Sequence, residues 1–378
     1  MTPSPPRSVA VVGRFPPPLD GQALATARLA DLLASPVGGP FEVSRHDVGA
    51  PEGEQLVTAV RWGRAAHFAR LPLALRRSLQ VHPDAPVLWP SVSPSPLGHA
   101  RDLLTVAPAF GRRPVVGVVH RGDFDRLFRS PVTAATARAL VRRLRALVFL
   151  TEGLAGRCAA FVPDGKRWVV PNTVDAEAIP TAAEVDAARD RRAARDGVRM
   201  LFLSGMVPSK GYGDVLDALA ALRARGVGAQ ASFVGRWPSV EAEWAFRQRA
   251  GALGLAAHAE VVGGVGRGDA RERMLGADVL VLPTTYPVEA QPLTVIEALA
   301  AGTPVVVTPH AGLPETVRDG QEATFVPAGS PDQIADAVQE LTAPDRWVGA
   351  SRAARDRFDA AFSPAVVGAR WGDVLDRV

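Results

Sequence analysis

The run ADVLVLPTTYPVEAQPLTVIEALAAGTPVVV, residues 277–307, decides the fold. It holds an apolar segment of strand length over 278–282, a loop over 283–291, a short helix from Pro292 to Ala301, a stop at Gly302 and a second apolar segment over 304–307. Proline suits the first turn of a helix, and glycine the position just past its end. Glu289 and Glu297 stand eight residues apart in a stretch that is otherwise almost uncharged. A carboxylate at such a junction costs desolvation energy unless something polar meets it.

The same alternation extends outward from this run. In the first half, strand patterns cover 8–12, 41–45, 86–89, 114–119, 146–150 and 167–170, with helical patterns over 21–33, 56–80, 131–144 and 152–161. Residues 175–197 change character, rich in Ala, Arg, Asp and Glu, and read as a linker with a short helix. The alternation then restarts with strands over 199–203, 229–234, 258–262 and 324–326 and helices over 213–225, 241–253, 267–275 and 331–342. Strands alternating with helices imply parallel sheets covered on both faces. The expected class is α/β: two Rossmann-like, doubly wound domains, 1–174 and 197–363, joined by 175–196. Ligands of such sheets bind beyond the carboxyl ends of the strands, so two of them facing one another place a cleft between domains.

Composition agrees with this reading. A chain of 378 residues is too long for one ordinary core. No run of about 18 uncharged apolar residues occurs, so no membrane span is expected, and residues 8–13 are too short for a signal-peptide core. The simple reading is a cytoplasmic protein. Cys158 is the only cysteine, which excludes an internal disulfide framework and a multi-cysteine metal site. The net charge is +4, and nearly all the 43 basic residues are arginine; the lysines are Lys166 and Lys210. The acid-free segment 56–80 places Trp62, Phe68, Leu71 and Leu75 between arginines, as a basic helix at an anionic membrane surface would. The competing reading is a solvated helix face against the core. No zinc-ligand, helix-turn-helix or RNA-binding pattern points to nucleic acid.

Several residues have the chemistry of a site. Lys210 lies in the Gly-rich loop 203–213 between a strand and a helix, where a cation beside free helix amides suits a phosphate. The helix start at Leu293 and Thr294 offers a second set of unpaired amides. Glu297, deeper in that apolar helix, wants hydroxyl or amide donors such as a ribose supplies. Glu289, in the preceding loop, could meet sugar hydroxyls. His120 ends a strand and so faces the ligand side of its sheet. Gly21 and Gln22 follow the first strand, where glycine permits close approach of a ligand. The loop lacks Gly-x-Gly-x-x-Gly, which disfavours a nicotinamide cofactor.

Together these segments resemble the retaining glycosyltransferases of family 4, which have the GT-B fold. Residues 277–307 look like the family's Glu-x7-Glu signature; 170–175 (VPNTVD) resembles its segment before the second domain; 310–315 (HAGLPE) resembles its Gly-Gly-x-Pro-Glu segment. The resemblance implies transfer of a sugar from a nucleotide diphosphate sugar to a carbohydrate or lipid-linked acceptor, with retention of configuration. No metal or other cofactor is obligatory, and no Asp-x-Asp pattern stands where one would serve. It assigns Glu289 to the donor sugar, Lys210 to the diphosphate, Glu297 to the ribose, and Gly205, Gly235 and Val262 to the nucleotide; His120 matches the family's cleft histidine, and the acceptor is expected to approach near Gly21 and His120. Residues 364–378 are expected to return to the first domain. One departure stands out: relatives carry arginine after the first glycine of the Lys210 loop, where this chain has Met206, leaving Arg236 or Arg121 as substitutes. Ala290 likewise replaces a common glycine. The other readings are a sugar-nucleotide-binding protein without transfer activity, and a phosphorylase or sugar-nucleotide epimerase of the same fold. Lipid-linked acceptors and the basic helix would together place the enzyme at the inner face of the membrane.

Overall fold

Runs of valine make the centres of two sheets. The segment Val115–Val119 is VVGVV and Val305–Val307 is VVV, both buried throughout. Such continuous apolar strands belong to parallel sheets covered on both faces. The computed structural model describes residues 7–16, 21–37, 39, 41–49, 62–90 and 92–378. Two units emerge: Met1–Asn172 with Pro364–Val378 (unit 1), and Thr173–Ser363 (unit 2).

Unit 1 contains β1 (Arg7–Gly13), α1 (Gly21–Ala34), β2 (Phe41–Asp47), α2 (Trp62–Ser78), β3 (Val87–Trp89), α3 (Pro96–Phe110), β4 (Val115–Val119), α4 (Pro131–Arg143), β5 (Ala146–Phe149), α5 (Glu152–Arg157) and β6 (Arg167–Val169). The strands pair in parallel in the order β2-β1-β3-β4-β5-β6.

Unit 2 contains α6 (Ala182–Ala193), β7 (Val198–Leu203), α7 (Tyr212–Ala224), β8 (Ala229–Val234), α8 (Val240–Ala252), β9 (Ala259–Val262), α9 (Arg267–Gly276), β10 (Val279–Leu282), α10 (Leu293–Ala300), β11 (Val305–Val307), α11 (Leu313–Thr316), β12 (Ala323–Phe325), α12 (Pro331–Leu341) and α13 (Pro344–Ala361). Its order is β12-β11-β10-β7-β8-β9, again parallel. The last helix, α14 (Pro364–Asp376), belongs to unit 1, where Val367, Trp371 and Val374 join the core of Val9, Val11, Leu29 and Leu33.

Four expectations need correction. Residues 175–196 are not a linker but part of unit 2. The helix α6 begins with a reciprocal Thr181–Glu184 capping box. It buries Val185, while Arg189 donates to Ser351 Oγ at 3.0 Å. Arg192 and Arg195 both meet Asp278, which is 1% exposed. A buried acid at the start of β10 thus holds α6 and the turn after it, since an unpaired buried carboxylate would be costly. Secondly, the helix over 152–161 stops at Arg157, because the Phe161 and Val162 amides both turn back to the Cys158 carbonyl. Thirdly, α2 begins at Trp62, and residues 56–61 of the expected segment lie outside the described residues. Fourthly, Pro292 caps α10 instead of entering its first turn.

Candidate functional site

The strand order of unit 2 defines where a site can be. From β7 the chain winds outward through β8 and β9, then returns to place β10 on the other side of β7. The topological switch point therefore lies between β7 and β10, and ligands of open α/β sheets bind beyond the strand ends there. The loop after β7 carries Lys210, and the loop after β10 carries Glu289.

These two loops are sewn together. The Thr285 amide donates to the Ser209 carbonyl at 2.7 Å, and the hydroxyls of Thr284 and Thr285 approach the same oxygen at 3.4 and 3.3 Å. Gly211 ends the first loop at φ +86°, and a Cβ there would lie 2.6 Å from the Pro283 carbonyl, so glycine is required. Across this seam the Lys210 ammonium is paired with the Glu289 carboxylate. Their side chains are only 13% and 10% exposed. Lys210 Nζ also sits 4.6 Å from the centre of the Tyr286 ring, a cation–π contact.

A third loop, after β11, supports the second. Thr308 Oγ1 donates to the Thr284 carbonyl at 2.5 Å, His310 Nε2 lies 2.9 Å from the Tyr286 carbonyl, and the Gly312 amide donates to the Ala290 carbonyl at 2.9 Å. Between them, Ala311 has φ +53°, the one non-glycine residue with positive φ among the described residues. Such strain persists only where surrounding bonds over-determine it.

On the other side, the loop after β8 touches the loop after β7. The Met206 amide donates to the Arg236 carbonyl at 3.0 Å. A Cβ on Gly235 would lie 1.7 Å from the Ser204 carbonyl, so no other residue fits. Met206 is fully buried in the core of unit 2, whereas Arg236 is exposed. A Cβ on Gly205 would meet no protein atom within 4 Å. The Val262 carbonyl, at the end of β9, accepts from the Gly235 amide at 3.3 Å. Helix α10 starts without a side-chain cap, its Leu293 and Thr294 are half-buried, and Glu297 stands one turn further in, also half-buried.

Lys210, Glu289, Gly205, Gly235, Val262, Leu293, Thr294 and Glu297 thus all belong to unit 2, and the structure brings Lys210 and Glu289 into direct contact. His120 and Gly21 belong to unit 1: Gly21 opens α1, and His120 follows β4. The His120 Nε2 is buried without a hydrogen-bond partner, and burial pushes its pKa down to about 4. Arg121 is engaged bidentately by Asp123 at 3.0 and 2.9 Å. Sequence reasoning missed Tyr286, whose only signal was rarity: the chain has two tyrosines. A groove of about 860 Å³ in unit 2, lined by Arg199, Gln230, Ser232, Glu260 and Arg273, contains none of these site residues. It opens beside the amino-terminal parts of the strands, away from the switch point.

Residues 186–352 match the family model described as Glycosyl transferases group 1. The chain is 31% identical over 251 residues to the GDP-mannose-dependent alpha-(1-6)-phosphatidylinositol monomannoside mannosyltransferase of Mycobacterium tuberculosis, covering 63% of this chain and 64% of that protein. It thus spans just under two thirds of that relative's length. It is 30% identical over 266 residues to the phosphatidyl-myo-inositol mannosyltransferase of Mycobacterium leprae, covering 67% of each. In fold it is similar to the Anabaena protein Alr3699/HepE, solved in complex with UDP, with a TM-score of 0.71 at 16% identity over 98% of this chain and 100% of that one. At that identity the likeness speaks to the fold alone, which is GT-B.

Proposed function

The chain belongs to the group 1 glycosyl transferases, and on that premise we propose that it moves a sugar from a nucleotide diphosphate sugar to an acceptor hydroxyl with retention of the anomeric configuration. The observation that carries this reading is the buried Lys210–Glu289 pair at the switch point. Taking two charges out of water is costly, and mutual attraction only partly offsets that cost. An incoming donor gives each partner a better role. Its diphosphate takes the ammonium, and the released carboxylate accepts hydrogen bonds from the sugar hydroxyls.

As the bond from the anomeric carbon to the diphosphate breaks, the leaving oxygen gathers negative charge. Lys210 and the Leu293 and Thr294 amides, at the uncapped start of α10, stabilise that charge. Glu297 holds the ribose hydroxyls, Gly205 lets the nucleotide approach the backbone, and Gly235 and Val262 border the base. In unit 1, burial holds the His120 ring neutral at physiological pH, so it carries no charge. Gly21, at the start of α1, allows the acceptor to approach closely.

The relatives make GDP-mannose the first donor to test and a phosphatidylinositol glycoside the first acceptor. Glu289→Ala and Lys210→Ala should each lower turnover at least about ten-fold while the fold survives; near-normal rates in both variants refute the assignment. The anomeric configuration of the product, read by NMR, tests retention.

Unit 1 also carries a charge of its own, with 24 basic residues against 14 acidic ones. Among the residues of helix α2 whose side chains are described, Leu71 and Leu75 face the core, while Arg70, Arg76, Arg77 and Leu73 are exposed. We infer that attachment to anionic lipid, where it occurs, is electrostatic. Sedimentation with anionic vesicles should be lost at high salt.

A further inference from the structure

Resting on the donor reading above, we propose that Arg236 is the second cation of the diphosphate site. A nucleotide diphosphate brings several negative charges. Lys210 meets it from a pair with Glu289 that has no net charge, in a unit holding 19 basic residues against 25 acidic ones. A polyanion there needs a cation that no carboxylate already holds.

Among the described cations of unit 2, the side chains of Arg191, Arg199, Arg236 and Arg352 make no hydrogen bond or ion pair. Arg191 lies in α6, Arg199 near the start of β7, and Arg352 in α13. Arg236 alone of the four follows the carboxyl end of a strand, β8, which is the hydrogen-bonded neighbour of β7.

The backbone of Arg236 is held in place on both sides. Its carbonyl accepts from the Met206 amide at 3.0 Å, and the preceding Gly235 packs against the Ser204 carbonyl so closely that no Cβ fits. The following Trp237 is set into an aromatic cluster, 5.3 Å from the Tyr212 ring and 5.2 Å from that of Phe246. A rooted backbone with an exposed, unengaged guanidinium is a pre-organised hydrogen-bond donor to an anion, because the planar fork can bind phosphate oxygens bidentately. Met206 itself cannot take this role, since its side chain is buried in the core. The structure thereby relocates the positive charge from the β7 loop to the β8 loop.

The test is titration calorimetry on the full chain with GDP and with UDP, and competition by the matching nucleoside. For whichever diphosphate binds the wild type, Arg236→Gln should weaken binding at least about 10-fold. Arg236→Lys should recover part of the loss, and both variants should leave nucleoside affinity and thermal midpoint unchanged. Unaltered diphosphate affinity in Arg236→Gln, or an equal loss for the nucleoside, overturns the assignment of Arg236. Failure of the wild type to bind either diphosphate overturns instead the donor reading on which the assignment rests.

Discussion

The two lysines of this arginine-rich chain occupy opposite kinds of place. Lys166, in unit 1, donates to the carbonyls of Val141, Arg142 and Leu144 at 3.0, 2.8 and 2.6 Å. It closes the carboxyl end of α4, where helix carbonyls lack partners and the helix dipole favours a cation. Burial, and then the nearby Arg145, hold its pKa below the ordinary lysine value. Lys210, in unit 2, faces a carboxylate on one loop and an aromatic ring on the same loop. Both sites use the compact ammonium of lysine, a point charge with three donors, in place of the planar fork of arginine. The difference lies in whether the partners can be exchanged. The carbonyls of a helix end stay where they are, whereas on the proposed reading Glu289 turns to sugar hydroxyls once a phosphate takes its lysine.

The strongest way to break this comparison is to exchange the lysines for methionine one at a time. Lys210→Met combined with Glu289→Gln should cut turnover by about 100-fold or more, since on the proposed reading both groups meet the donor. Its thermal midpoint should match or exceed the wild type, because an apolar or neutral pair replaces a buried ionic one. Lys166→Met should do the reverse, costing about 1–3 kcal/mol of stability through orphaned helix carbonyls and leaving kcat intact. Activity lost with Lys166, or retained without Lys210 and Glu289, would erase the distinction.

The same contrast separates what is legible in the sequence from what is not. Valine runs alternating with helical patterns made the parallel sheets legible, as at 115–119 and 305–307, because apolar strands have few other places to go. Strand order was not legible: pairing β7 with β10 brings Lys210 to Glu289 across 79 residues, and nothing local encodes it. The short helix expected within 175–197 is α6, but its place in the second unit was not legible because it buries only Val185. Its anchors are arginines reaching Asp278, and neither partner shows an apolar period. Met206 was legible as a departure, but the consequence needed coordinates: its side chain is core, and the neighbouring loop presents Arg236. Tyr286 gave no pattern at all, since a ring beneath an ammonium depends on a fold between loops.

Acid sharpens the comparison further, because burial in unit 1 shifts two titratable groups, His120 without a hydrogen-bond partner at Nε2 and Asp102 beside Arg101. His120 has its pKa lowered to about 4 by burial, against 6.5 in an unfolded chain. The unfolded state then binds more protons between these values, so stability falls as pH drops from 6.5 towards 4. Asp102 works the other way. Burial raises it to about 6 from 3.8, although Arg101, the Ser93 amide and Trp89 Nε1 all favour its charged form. Its folded state binds the extra proton, so its contribution to stability falls as pH rises from 3.8 to 6. Each effect is on the order of 2–3 kcal/mol at full extent. Comparing thermal midpoints at pH 4.5 and 6.5, His120→Gln should lose less on acidification than the wild type, and Asp102→Asn should lose more. Identical pH profiles for the three proteins would show that neither group is desolvated as described.

The smallest expected effect concerns strain, which the Lys166 region lacks and the Lys210 region has. Ala311 is held at φ +53° by the bonds flanking it, from His310 to Tyr286 and from Gly312 to Ala290. Left-handed backbone costs an alanine roughly 1–2 kcal/mol. Ala311→Gly relieves that cost but adds about 0.4–1 kcal/mol of chain entropy to the unfolded state. The net gain in stability should therefore be about 0.5–1 kcal/mol, read as a small rise in thermal midpoint. Turnover separates two meanings of the strain. If the strained turn holds Tyr286 beneath Lys210, the relaxed variant should raise KM for the donor more than it lowers kcat. A variant that gains stability with both constants unchanged would make Ala311 a tolerated accident, and would detach the β11 loop from the working part of unit 2.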